Sequence, residues 1–566
     1  EPRQLGEGQS PAVSPKGDRV AFLSKGQVWS VGLDGAEKPQ ELIHARGRAS
    51  ELRFSPDGAK LAFTSARGDH SFIGLYDVAT KTLAFLDPSV DRDSSPAWSA
   101  DGAHIAFLRQ PASRSFFSFG PERTAEPWSI RIVEVATAAG REVFRAKEGR
   151  GSAFQDVAGD GQILWVGDRL VFPWERDGWI HLYSLSFSGG EPLLLTPGEF
   201  EVEHVAVDGP RKSVLFSSNQ GDIDRRHVWR VAVTGGPPVG VTSGKGNEWS
   251  PVPTSDGSAV AFLASDAQKP AHASVRLGSG ETREMLAVSA DFPPFTTGAL
   301  VEPQQVIFPA ADGMPIHGQL FLPKGTSGKR PGVLFFHGGS RRQMLLGWHY
   351  LGYYHNAYAL NQYLASRGYV VLSVNYRSGT GYGLDFREAE NYGAHGASEF
   401  GDVLGAGLYL RSRPDVDAAR IGLWGGSYGG YLTAMGLSRA SDLFAAGVDI
   451  HGVHDWNVVI NNFTPTYDPA KAQDLARLAY ESSPMSSIKT WRSPVLLIHG
   501  DDDRNVPFSE SVDLAEALRK QGVLFEQLVF PDEVHGFLTH ARWLQAFRAA
   551  VDFLDRKLLG RRSPTE

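Results

Sequence analysis

The chain has 566 residues, 42% of them hydrophobic and 21% charged, with a formal net charge of −8 and no cysteine. It is too long for one core, so two or more domains of ordinary soluble composition are expected. The balance argues against a basic nucleic-acid footprint and removes disulfides, thiolate chemistry and cysteine-ligated zinc. No apolar run approaches the roughly 20 residues of a bilayer span, so no membrane partner is expected. No signal segment is visible at Glu1, and the compartment stays open between cytoplasm and periplasm or exterior.

Up to about residue 290 a turn signature keeps returning ahead of a short apolar strand. It reads SPKG at 14–17, SPDG at 55–58 and SADG at 99–102, with weaker copies GDG at 159–161, VDG at 207–209 and SDG at 255–257. An apolar pair follows at Ala21-Phe22, Ala62-Phe63, Ala106-Phe107, Leu215-Phe216 and Ala261-Phe262. An Asp-Gly step supplies the positive φ of a tight hairpin. A repeat of about 40–60 residues lies in and above the range of propeller blades, whereas paired β-sandwiches show no fixed repeat. Residues 1–290 are therefore expected to form an all-β propeller. Six blades are signed, and a seventh could be assembled from the two ends of the region.

The stretch 287–302, with Pro293 and Pro294, reads as a connector. Beyond it, strand-like runs at 332–336, 369–374, 421–424, 446–450, 494–498 and 525–530 alternate with helical patterns such as 398–410, 428–439 and 509–520. This grammar predicts a mainly parallel sheet covered on both faces, an α/β domain over 291–566.

The chemistry-bearing motifs fall at the ends of these strands. Gly425-Gly426-Ser427-Tyr428-Gly429 is a G-x-S-x-G nucleophile elbow between a strand and a helix. Its glycines let the two backbones approach, and the helix N-terminus favours developing negative charge. HGDDDRNVP at 499–507 follows the next strand but one. Asp501, Asp502 and Asp503 compete there to orient an imidazole, and spacing alone does not choose between them. DEVHGF at 532–537 offers His535 as general base, in the order Ser–Asp–His used by α/β hydrolases. HGGS at 337–340 is a glycine-rich loop able to point N–H groups at an oxyanion, with the Tyr428 N–H as second donor. His451 and His454 form H-x-x-H near His499, but a metal site needs convergent ligands and an open position. No metal and no organic cofactor are expected.

Together with NYRSGTGYG at 375–383, these strings resemble the prolyl oligopeptidase family of serine peptidases, across most of the chain. The resemblance implies an α/β-hydrolase domain capped by a propeller, acting on short peptides. It selects Asp503, the third residue after the His-Gly pair, to complete a triad with Ser427 and His535. It names Gly339, then Gly338, as loop donors beside Tyr428. Val453 and Trp456 in VHDW, with Asn505 and Val506, resemble the lining of the pocket for the residue before the scissile bond. His337 stands where oligopeptidases and dipeptidyl peptidases place a tyrosine, which leans toward acylaminoacyl- or aminoacyl-peptide cleavage. WERDGWIHLY at 174–183 resembles a dipeptidyl peptidase string, yet the paired-glutamate helix of those enzymes is not found. Glu201 and Glu203 share a strand face without forming it. Residues 341–363 shape either substrate access, an oligomer contact or a packed surface. The same triad would serve a carboxylesterase, and the rival of another class is a non-catalytic propeller scaffold. A homo-oligomer is possible.

Overall fold

The computed structural model describes residues 3–112, 119–123, 126–159, 161–285, 297–325 and 328–561. Six four-stranded antiparallel sheets occupy Gln9–Ile43, Arg48–Leu86, Arg92–Arg145, Leu164–Leu194, Val202–Gly240 and Asn247–Met285. One parallel bridge, Ser71 to Arg92, ties the second sheet to the third, and a short strand Ala158–Gly159 joins the fifth. Five apolar clusters each join one sheet to the next in chain order. These sheets fit a propeller-like domain, with six blades among the described residues.

The turn signatures join the first and second strands of a sheet. In the second sheet Ser55 Oγ donates to Asp57 Oδ1 at 2.6 Å and accepts the Lys60 N–H at 2.9 Å, while Asp57 Oδ1 accepts the Ala59 N–H at 3.0 Å. The third sheet repeats this with Ser99, Asp101, His104 and Ala103, the sixth with Thr254, Asp256, Ala259 and Ser258. Gly58, Gly102 and Gly257 close the turns at φ of 67°, 71° and 71°, where an L side chain is strained. The fourth sheet departs from expectation. Asp160 of the GDG copy lies outside the described residues, and the hairpin there is made instead by Gly167-Asp168 between Leu164–Val166 and Arg169–Trp174.

The expected boundary at 290/291, Pro293 and Pro294 also lie outside the described residues. A 3-10 turn, Thr297–Ala299, leads into the second domain. Its eight strands are β1 (Gln304–Pro309), β2 (Pro315–Phe321), β3 (Arg330–Phe336), β4 (Val370–Asn375), β5 (Val416–Gly426), β6 (Ala446–Ile450), β7 (Val495–Gly500) and β8 (Phe525–Phe530). They lie in the order β1-β2-β4-β3-β5-β6-β7-β8, antiparallel through β1, β2 and β4 and parallel from there on. The longest helices are α1 (Gly352–Ser366), α2 (Phe400–Ser412), α3 (Tyr428–Arg439), α4 (Ser509–Gln521) and α5 (His540–Leu554). Residues of α2, α3 and α4 share one core with the sheet, those of α1 and α5 the other. Burial on both faces explains the continuous apolar runs of β4, β6 and β7.

The two domains are joined by buried ions. Arg387, 3% exposed, forks onto Glu175, 1% exposed, just after the second strand of the fourth sheet, at 2.6 and 2.7 Å. Glu388 lies 3.3 Å and Glu201 4.0 Å from the same guanidinium. Arg387→Met would leave three carboxylates without their shared cation. A loss of about 3–5 kcal/mol is expected, read as a lower denaturant midpoint than that of the parent chain.

Candidate active site

Strand β5 delivers Ser427 at its C-terminal end, and α3 begins at the next residue. Ser427 is held at φ 59°, ψ −120°, a strained corner for an L residue. A Cβ on Gly425 or Gly429 would collide with backbone, including the Phe336 carbonyl of β3. The glycines of the motif are thus required by the close passage of β3, β5 and α3. The Ser427 N–H is tied to the Ile450 carbonyl of β6 at 2.9 Å.

Asp503 follows β7 and His535 follows β8. His535 Nδ1 lies 2.6 Å from Asp503 Oδ2. The other Asp503 oxygen accepts the N–H groups of Asn505 at 2.8 Å and Val506 at 3.0 Å, and His499 Nε2 approaches Oδ2 at 3.2 Å. Burial alone would raise this carboxyl. Hydrogen bonds from His499 and His535 and the charge of His535 outweigh it and hold Asp503 well below the usual carboxylate range. The competing acids point elsewhere: Asp501 accepts the Asp532 N–H at 2.7 Å, and exposed Asp502 pairs with Arg504.

Two further histidines pack around the pair. His451 packs against His535 with ring centroids 4.2 Å apart and planes tilted by 33°, and Tyr353 Oη and His451 Nε2 are hydrogen-bonded at 2.9 Å. Burial, with His535 and His499 adding to it, pushes the His451 imidazole well below its ordinary value, so it stays neutral. His451, Asp503 and His535 bring ligand atoms within 4.8 Å of one another, but Asp503 and His535 already bond each other. The H-x-x-H pair does not converge, because His454 turns to Asp449 Oδ2 at 2.7 Å and the Glu510 carbonyl at 3.0 Å.

A cavity of about 430 Å³ opens over Ser427 and His535. Tyr428, Gly338, Gly339, Val453, Trp456, Asn505 and Val506, all expected at the site, line it too. Gly338 passes so close that a Cβ on it would lie 3.2 Å from Ser427 Cβ and 3.2 Å from Tyr354 Oη. The NYRSGTGYG string supports this loop. Tyr376 Oη donates to the His337 carbonyl at 2.8 Å, and its ring stacks on His337 and, at 5.8 Å and 8°, on Tyr428. Asn375 brackets Met344, accepting its N–H at 2.7 Å and donating to its carbonyl at 2.9 Å.

A model of the prolyl oligopeptidase family matches residues 356–561, and one of the dipeptidyl peptidase IV N-terminal region matches 126–270. A probable dipeptidyl peptidase 4 of Aspergillus fumigatus is 30% identical over 618 residues, spanning 95% of this chain and 78% of that protein. The chain belongs to the prolyl oligopeptidase family. Dipeptidyl aminopeptidase BIII of Pseudoxanthomonas mexicana is 31% identical over 285 residues, 47% of this chain and only 40% of that protein's length. Among solved structures, a Mycobacterium tuberculosis puromycin-hydrolyzing peptidase superposes with a TM-score of 0.78 at 21% identity, covering 98% of this chain and 86% of that one. At that identity the likeness shows the fold.

Against this family background several residues depart from the expected pattern or add to it. Glu201 accepts the N–H groups of Gly381 at 2.7 Å and Gly383 at 3.2 Å. Glu203 is paired with Arg226 at 2.7 Å and bonded to the Tyr350 hydroxyl. Both carboxylates are therefore engaged within the protein. The segment 341–363 does shape access, since Arg342, Leu351, Tyr353 and Tyr354 line the cavity. Phe119, Val459 and Phe463 line it as well, and no motif announced them. Among the described residues no helix is long and apolar enough to cross a membrane.

Behind Val453 and Trp456, buried Glu510 accepts the N–H groups of His454 and Asp455, each at 2.9 Å. Burial pushes its carboxyl up to about 7. A folded-state value above the unfolded one favours the protonated native form. The associated stability is present in full below the unfolded value and lost as pH rises through about 7. Glu510→Gln is expected to flatten this slope, so the difference in denaturant midpoint, variant minus parent, should grow between about pH 5 and pH 7.

Proposed function

We propose that the chain is an exopeptidase of short peptides in which Ser427, His535 and Asp503 act as the triad. Ser427 Oγ attacks the carbonyl while His535 takes its proton. Asp503 orients His535 and stabilises the imidazolium, and water releases the acyl-enzyme by the same route. The N–H groups of Tyr428 and of Gly339 or Gly338 receive the oxyanion. The carrying observation is the 2.6 Å bond from His535 Nδ1 to Asp503, with Ser427 and His535 lining one cavity. No cofactor takes part in this sequence of steps. Because Glu201 and Glu203 are already engaged, cleavage after one aminoacyl or acylaminoacyl residue is favoured over release of dipeptides.

The test pairs fluorophosphonate labelling with a matched set of anilides and esters. Aminoacyl-, N-acetyl-aminoacyl- and dipeptidyl-anilides are compared with a p-nitrophenyl ester. Labelling at Ser427 with fastest turnover of a one-residue anilide supports the proposal. Turnover of the ester alone would make the chain a carboxylesterase, and absence of labelling would make it a scaffold.

A further inference from the structure

One wall of the active-site cavity comes from the other domain. The second and third strands of a propeller sheet are usually joined by a short turn, as from Ser24 to Gln27 or from Ala66 to Ser71. In the third sheet a longer stretch separates Gln110 from Ser129, and its residues 119–123 meet the hydrolase domain. Phe119 lies on it. Its ring sits 5.1 Å from that of Trp456 and 5.5 Å from that of Phe463, at tilted and edge-on angles, within the cavity that holds Ser427. Val453, Val459 and Val506 complete an apolar enclosure.

Residues 119–123 are fastened to the hydrolase domain, which holds the Phe119 ring in place. The Phe119 carbonyl accepts the Ala394 N–H at 3.0 Å, and the Gly120 carbonyl accepts the Tyr392 hydroxyl at 2.7 Å. The Glu122 N–H donates to Glu388 Oε2 at 2.8 Å, and Arg123 Nε to the Glu388 carbonyl at 2.6 Å. Buried Glu388 also pairs with Arg341, two residues after Gly339, at 2.8 Å. Gly393, at φ 61°, leaves no room for a side chain against the Phe119 carbonyl. One carboxylate thus anchors both the propeller connection and the glycine-rich loop beside the nucleophile.

We propose that Phe119 is a specificity-determining residue, closing a pocket that takes a bulky apolar or aromatic side chain on the acyl side of the scissile bond. This rests on the peptidase proposal above. Arg342 and His535 also line the cavity, but the wall made by Phe119, Trp456, Phe463 and the three valines is apolar and rewards buried area in the side chain it receives. Removing one wall lowers the reward for a large side chain and leaves a small one indifferent.

The experiment measures kcat/KM for Ala-, Leu- and Phe-aminomethylcoumarin amides, free or N-acetylated as the parent enzyme prefers. The enzymes are the parent, Phe119→Ala, Phe119→Leu and Phe119→Trp. The Phe/Ala selectivity ratio is expected to fall by roughly 10–100-fold in Phe119→Ala, by less in Phe119→Leu, and to fall in Phe119→Trp through crowding. An unchanged ratio in Phe119→Leu and Phe119→Trp, with all three substrates scaled equally, would overturn the assignment even if Phe119→Ala unfolds. Fluorophosphonate labelling of the parent enzyme separates the two levels: a flat ratio with Ser427 labelled refutes Phe119 alone, and no labelling refutes the peptidase proposal and this inference together.

Discussion

Ser427→Ala should lower kcat by about 10⁵–10⁶ while KM moves by no more than a few-fold. In the proposed mechanism, removing the hydroxyl leaves His535 with no proton to accept and no acyl-enzyme to form, so the triad's contribution disappears as a unit. What remains is the effect of the glycine-rich loop and the cavity on a water molecule. Alanine keeps the Cβ that the turn already accommodates, so the corner at φ 59° is unchanged and the melting temperature should stay close to that of the parent. Turnover of a one-residue anilide, with active-site titration to exclude parent contamination, decides the matter. Activity within tenfold of the parent would remove Ser427 from the chemistry.

The second large effect separates three adjacent acids. Asp503→Asn should lower kcat by about 10⁴, because a carboxamide presents an N–H to His535 Nδ1 and selects the wrong tautomer. The loss is reinforced here by the second imidazole, His499, on the same oxygen. Asn at 501 keeps an oxygen for the Asp532 N–H, and Asn at 502 disturbs only an exposed pair with Arg504. Both should stay within about threefold of the parent, since exposed pairs contribute little. Equal losses at the three positions would undo the assignment of Asp503.

Legibility followed locality. The SxDG turns could be read because the Ser, Asp and Gly that make each one lie within four residues. The hairpin at Gly167-Asp168 escaped, its two turn residues being reversed in order. Five of the six parallel strands, β3 to β7, were visible as apolar runs because both their faces are covered, whereas β8 was read from Phe525, Leu528, Val529 and Phe530 although it is a half-exposed edge. Strands β1 and β2 were not, since β1 is an exposed edge with a broken pattern. The elbow, the acids after β7 and His535 could be found by strand position and chain order. Choosing Asp503 among its neighbours needed the resemblance. Phe119, Tyr353, Tyr354 and the contact of His451 with His535 carry no local signal, as docking of distant segments creates them.

The conformation of Ser427 has an evolutionary corollary. A residue without a Cβ would sit at that corner without strain, so for folding alone glycine is the better choice there, and only the hydroxyl argues for serine. With Ser427 as the proposed nucleophile, selection for turnover opposes selection for thermal robustness at this one residue. A lineage that abandoned hydrolysis while keeping the scaffold would be free to drift toward glycine at the tip of the elbow.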